Sequence, residues 1–151
     1  MFKVVLETFL VAMVPVIELR GAIPFGVVNG LSITTAFIVS VLGNLLLIPL
    51  EIIFIRRVFA WARTKSKKLN DLILKLEGRA EKNRPLVEKY KFWGLMILVA
   101  IPLPGTGAWT GGLVAAMTEM RIKKAMPAIA LGVIMAGVIV TGITYGAGAL
   151  L

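Results

Sequence analysis

The chain has 151 residues, 58% of them hydrophobic, and a formal charge of +9; its mean hydropathy is +0.91. The apolar share exceeds the roughly 45–50% of a soluble domain, which points to an integral membrane protein. With no cysteine and no histidine, disulfides, thiol nucleophiles, Cys/His metal sites and histidine pH sensing are excluded, and neither a metal nor another cofactor is expected.

In chain order, the first apolar run, Val4 to Ile17, holds 14 residues including Glu7. It lacks a small-residue cleavage site and is expected to stay in the mature protein. Runs of 10–14 apolar residues are too short to span a bilayer and suit re-entrant segments, so residues 1–31 are expected to form a helical hairpin. Ser32 to Ile55 is long enough to cross. Residues 56–91 carry twelve Lys/Arg against four Asp/Glu, a basic block that reads as a cytoplasmic loop. No nucleic-acid recognition motif accompanies it. Within it, Leu69, Leu72, Ile73 and Leu76 recur at helical spacing, Gly78 is placed to end that helix and Pro85 to start another. A second short run, Phe92 to Leu103, opens a second hairpin over 92–120. Ala125 to Leu151 carries no charge and makes the second span.

The two short runs end alike. Pro15 falls opposite Pro102, and with a one-residue gap Gly21-Ala22 and Gly26–Val28 fall opposite Gly107-Ala108 and Gly112–Val114. If the short runs are hairpins entering and leaving on one face, Arg121, Lys123 and Lys124 join the cytoplasmic charges, and only Lys3 and Arg20 are left over. The expected fold is therefore all-α and membrane-integral: two inverted repeats, each a re-entrant hairpin plus one transmembrane helix, joined by a basic amphipathic cytoplasmic helix.

Two stretches carry the candidate chemistry. In VIELRGAIPFG, Glu18 and Arg20 point to different sides of a continuous helix but turn toward one cavity if the chain breaks at Gly21; Pro24 and Gly26 extend the punctuation. An intramembrane ionisable residue is a functional hypothesis by default. Arg20 offers a planar fork for an anion, and Glu18, taken out of water, can carry a proton. A structural ion pair, or an arginine reaching for the headgroups, is the other reading. In PLPGTGAWTGG, Pro102 and Pro104 prevent a continuous helix while Gly105 and Gly107 permit positive φ. The free N–H groups there, with Thr106 and Thr110, could cradle an anion, and Trp109 could cap the cavity. The other reading is a tight loop with an interfacial tryptophan. Glu51 is expected at the membrane interface. Ala128, Gly132 and Ala136 give the last span a small-residue stripe, and a homodimer is expected.

On ELRGAIP and PLPGTGAWTGG together the sequence resembles the small multidrug export family, itself similar to a branch of the DedA superfamily, over nearly the whole chain. The resemblance implies re-entrant segments facing each other from opposite leaflets. It also implies proton-dependent transport, with lipid or lipid-phosphate translocation proposed in the DedA relatives, and it sets Glu18, Pro24 and Pro102–Gly105 on the family's membrane-embedded motifs. DedA relatives often carry arginines where this chain has Val99 and Gly105, which leaves Arg20 alone to hold an anion.

Three functions follow as expectations. The first is a proton-coupled plasma-membrane transporter or flippase for an anionic amphiphile such as a lipid-linked phosphate, with Arg20 holding the anion and Glu18 cycling the proton. The second is an exporter of lipophilic cations by proton exchange, against which Arg20 argues by repulsion. The third is a non-transporting scaffold that binds membrane lipid. No nucleophile–base set is visible, so an enzyme is not expected.

Overall fold

The computed structural model describes residues 1–81, 85, 89–103, 106–118 and 120–150, and among them it is helical with no strand. The helices are α1 (Phe2–Met13), α2 (Glu18–Val28), α3 (Ile33–Lys65), α4 (Lys67–Glu81), α5 (Phe92–Ala100), α6 (Ala108–Met117) and α7 (Ile122–Leu150). Only α3 and α7 are long and apolar enough to cross a membrane. The short helices α1, α2, α5 and α6, of 12, 11, 9 and 10 residues, reach about 14–18 Å at 1.5 Å per residue, roughly half of a ~30 Å hydrocarbon core.

The break in the first hairpin comes earlier than the glycines suggest. α1 stops at Met13, and Val14–Ile17 turn, with Val16 at φ +77° and Glu18 at φ +51°. Gly21, Pro24 and Gly26 lie inside α2 instead. Gly26 serves packing: a Cβ there would stand 3.0 Å from Thr8 Oγ1 on α1 and 3.1 Å from Ala36 Cβ on α3. Small residues in apolar helices allow such backbone approach, which is why glycine here signals a crossing rather than a break. Pro15 and Pro102 do fall in interruptions; Pro104 and Gly105 lie outside the described residues.

The α1–α2 hairpin lies along the first half of α3. A Cβ at Gly43 would meet Phe9 O at 2.6 Å and Ala12 Cβ at 3.1 Å, so the end of α1 reaches a level about 15 Å along α3 from its start. α2 then returns, and Gly26 packs near Ala36. In the second half α5 packs along α7, where a Cβ at Gly132 would stand 2.6 Å from Val99 Cβ. α6 packs against α3, α7 and α5. The contacts mirror each other: α1 lies with α3 as α5 lies with α7, and α2 touches α7 while α6 touches α3.

The spans differ from expectation at their ends. α3 runs past Ile55 to Lys65, because no glycine or proline stops it before Ser66. Gly78 does not end α4, which continues to Glu81. Ile73 of α4 is buried, and Glu77 pairs with Arg63 of α3. The core gathers Leu19 and Ile23 of α2, Ile48 and Ile52 of α3, Leu95 and Val99 of α5, and Ile129 and Val133 of α7. Outside it, Ile38, Leu42, Leu46, Leu50 and Phe54 recur every fourth residue and are exposed. A continuous apolar stripe of this kind belongs against lipid. The Ala128–Gly132–Ala136 stripe is used within the protomer, against α5 and its surroundings, and Gly137 meets Phe37 of α3. Gly142 and Gly146 meet nothing.

Candidate functional site

A broken helix leaves its first N–H groups and its last carbonyls without partners, and in lipid no water supplies them. The break between α5 and α6 has both kinds of orphan, and the first hairpin answers both. Glu18, 4% exposed, starts α2. Its Oε1 accepts the Trp109 N–H at 2.6 Å and its Oε2 the Ala108 N–H at 3.3 Å. A carboxylate thus sits on the positive N-terminal end of α6. Arg20, two residues on, donates from Nη1 to Leu103 O at 2.6 Å and from Nη2 to Ile101 O at 2.9 Å and Thr106 Oγ1 at 3.0 Å. These carbonyls follow the C-terminus of α5, where a cation is favoured. Thr106 ties the turn together, its hydroxyl 2.6 Å from both Ile101 O and Leu103 O.

Glu18 and Arg20 are therefore not an ion pair with each other; the ion pairs among the described residues are Lys3–Glu7 and Arg63–Glu77. Each is instead matched to the opposite charge of a helix end in the other half of the chain. The N–H cradle expected for a bound anion is filled by the protein's own carboxylate, and three donor contacts of the expected anion-holding arginine are taken up by the chain.

Gly107 makes this contact possible. Its φ of 112° and ψ of −172° lie in a region essentially restricted to glycine, and a Cβ there would stand 2.5 Å from Glu18 Oε2 and 2.9 Å from Arg20 Nη2. Of the residues singled out from sequence, Glu18, Arg20, Thr106, Gly107 and Trp109 are brought together. Thr110 is buried one residue further along α6, with no hydrogen bond to Glu18 or Arg20 among those described. Gly105 lies outside the described residues.

Three residues escaped the sequence reading. Arg56 donates from Nη2 to Met120 O at 2.9 Å and to Ala115 O at 3.4 Å, so α6 carries an acid at its N-terminus and a base at its C-terminus. Glu51, expected at the membrane interface, is buried against another helix: it is 5% exposed, its Oε1 has no hydrogen-bond partner, and it presses on α6. The third is Gly112, where a Cβ would stand 2.8 Å from Glu51 Oε1. A signal for Glu51 existed. Ser40, Asn44 and Glu51 share one helical face, the buried one.

Two spanning-length apolar helices, four half-length helices and two charges of one half that cap the broken helix ends of the other define a helical membrane protein. A family model described as "Putative small multi-drug export protein" matches residues 18–139, and the chain belongs to that family. The match begins at Glu18, just after the first break, and covers the second. No curated protein and no solved structure matches the chain.

Proposed function

We propose that the protein is a proton-coupled transporter of the plasma membrane that moves an amphiphilic small molecule rather than performing an enzymatic step. Its two halves act as inverted repeats whose half-length hairpins enter from opposite faces, and two copies complete the pathway. The observation that carries this is the capping of the α5–α6 break by Glu18 and Arg20 from the other half. Discontinuous helices meeting at mid-depth are a transporter arrangement, and such a joint is a bistable element. A proton on Glu18 removes the negative charge that the Ala108 and Trp109 N–H groups hold, and so loosens the contact between halves.

The placement of the two turns supports the inversion. Ser32 caps the start of α3, whereas Arg56 holds Met120, so the α2–α3 and α6–α7 turns sit about 35 Å apart along α3. The basic residues of 56–91 then face the cytoplasm with Arg121, Lys123 and Lys124. An anionic cargo such as a lipid-linked phosphate would have to compete with Ile101, Leu103 and Thr106 for Arg20, so it could engage that residue only as the joint opens.

The test uses proteoliposomes with an imposed proton gradient and a lumenal pH dye, challenged separately with ethidium and with a fluorescent lipid phosphate. The expected result is gradient-dependent movement of one probe by the wild-type protein, abolished in Glu18→Gln. Movement no faster than in empty liposomes, or full activity in Glu18→Gln, overturns the proposal.

A further inference from the structure

On the lipid-facing side of α3, next to the start of α6, lies a cleft of about 370 Å³ lined by Leu47, Leu50, Ile53, Phe54 and Trp109, with Glu51 at its inner wall. A volume of this order lies at the low end for small-molecule sites. The walls are apolar apart from Glu51 and, at the rim, Arg57.

Glu51 is anomalous where it stands. It is 5% exposed, Oε1 has no hydrogen-bond partner, and no lysine or arginine pairs with it among the described residues. Burying a carboxylate without a partner is costly, whereas a buried charge that is paired is tolerated. Glu18, the other buried acid nearby, has two N–H donors; Glu51 has no described donor at Oε1. Gly112 is what lets the carboxyl sit against α6 at all, because a side chain there would occupy its place. The arrangement has a carboxyl without a counter-charge at the inner wall of a cleft, hydrocarbon around it, and an aromatic ring whose face attracts cations.

We propose that this cleft binds a lipophilic monovalent cation, with Glu51 as its counter-charge and Trp109 and the α3 side chains enclosing its apolar body. The complementarity is of charge as well as shape. An anion of the same size would meet the carboxyl, and a neutral molecule would leave it uncompensated. Arg57 is exposed and stands six residues from Glu51, about 9 Å along the helix, where it guards the water end and directs the ligand in from the lipid flank. The inference rests on the transporter reading for its purpose but not for its test, because binding is measured without a membrane or a gradient.

The experiment uses two probes of the same shape and opposite charge, tetraphenylphosphonium and tetraphenylborate, with the full chain in detergent micelles. The chain has three tryptophans. Trp61 and Trp93 are exposed, so Trp61→Phe and Trp93→Phe leave Trp109 as the only fluorescent reporter, at the cleft itself. The expected result is saturable quenching of Trp109 by the phosphonium and none by the borate. Glu51→Gln is expected to weaken phosphonium binding at least tenfold, and Glu51→Asp, which keeps the charge, to weaken it less. Helicity by circular dichroism confirms that each variant is folded; should Glu51→Gln fail that check, the probe pair and Glu51→Asp still decide. Equal binding of the borate, unchanged affinity in Glu51→Gln, or a loss in Glu51→Asp as large as in Glu51→Gln overturns the proposal. Proton-driven flux in proteoliposomes alongside a failure here would leave the transporter intact and only this site refuted.

Discussion

Gly107→Ala tests whether the joint between the two halves is built as described. The substitution does two separable things. It places an alanine at φ 112° and ψ −172°, a strain of about 1–3 kcal/mol. It also puts a Cβ 2.5 Å from Glu18 Oε2, which drives the carboxylate off the Ala108 and Trp109 N–H groups. A hydrogen bond to a charged group contributes about 1.5–3 kcal/mol, so displacing the stronger of the two brings the total to about 2.5–6 kcal/mol. In a Glu18→Ala background no carboxylate remains to be displaced, and only the backbone strain survives. The cost of Gly107→Ala should therefore shrink by about 1.5–3 kcal/mol there, a coupling within the range seen for residues in direct contact. Reversible unfolding in mixed detergent micelles, followed by circular dichroism, measures all four corners of the cycle. Equal costs in both backgrounds would show that Gly107 is needed for its backbone alone. A cost below about 0.5 kcal/mol, the level of an ordinary surface change, would remove the joint itself from the argument.

Other consequences are independent of that cycle. Arg20→Lys replaces a fork that reaches two carbonyls and a hydroxyl with one ammonium group, and should cost about 1–3 kcal/mol in the same unfolding assay; a neutral result would mean the carbonyls of the break find other partners. The chain has no native cysteine, so Asn29→Cys and Thr118→Cys can each be probed with a membrane-impermeant thiol reagent in intact cells. Labelling at 29 with protection at 118 until lysis is expected; the reverse pattern would make the four short helices part of ordinary crossings. Gly112→Ala should destabilise by about 1–3 kcal/mol through overpacking against Glu51, and Gly112→Ala combined with Glu51→Ala should recover most of the loss. Glu77→Ala breaks the pair with Arg63; such a pair near the surface contributes about 0–1 kcal/mol, so the global midpoint should hold while amide exchange in α4 accelerates.

What could be read from the residues and what could not divides along physical lines. Long apolar runs, one with a single acid and one uncharged, announced α3 and α7, and the length shortfall of the other runs announced half-length helices, because span length is set by the bilayer and not by partners. The break was misplaced because glycine in an apolar helix has two uses. At Gly26 and Gly43 it admits a neighbouring helix, and at Gly30 and Gly107 it supplies a positive φ that other residues avoid. The actual first break carries Val16 at positive φ, which no propensity would suggest; it holds only because α1 and α2 are each packed elsewhere. Glu18 and Arg20 were identified as exceptional, but their partners lie more than 80 residues away in sequence, and no local pattern encodes that meeting. Glu51 was legible as a helix face and was overlooked because its nearness to Arg56 suggested the interface.

The joint also sets a scale for the proposed cycle. In water a broken helix end is served by solvent, and opening such a contact would exchange one partner for another at little net cost. Inside lipid the only alternatives to Glu18 and Arg20 are a proton for the carboxylate and a ligand or admitted water for the freed N–H and C=O groups. Opening is therefore tied to what arrives at the break. A proton crossing 100 mV releases about 2.3 kcal/mol, comparable to the roughly 1.5–3 kcal/mol of one charge-assisted hydrogen bond. A joint of two or three such bonds is weak enough for a proton and a bound cargo together to open, and strong enough that a proton alone leaves it mostly closed. In the proposed cycle that difference separates a coupled transporter from a proton leak, and it rests on the acid and the base capping the opposite half of the chain rather than each other.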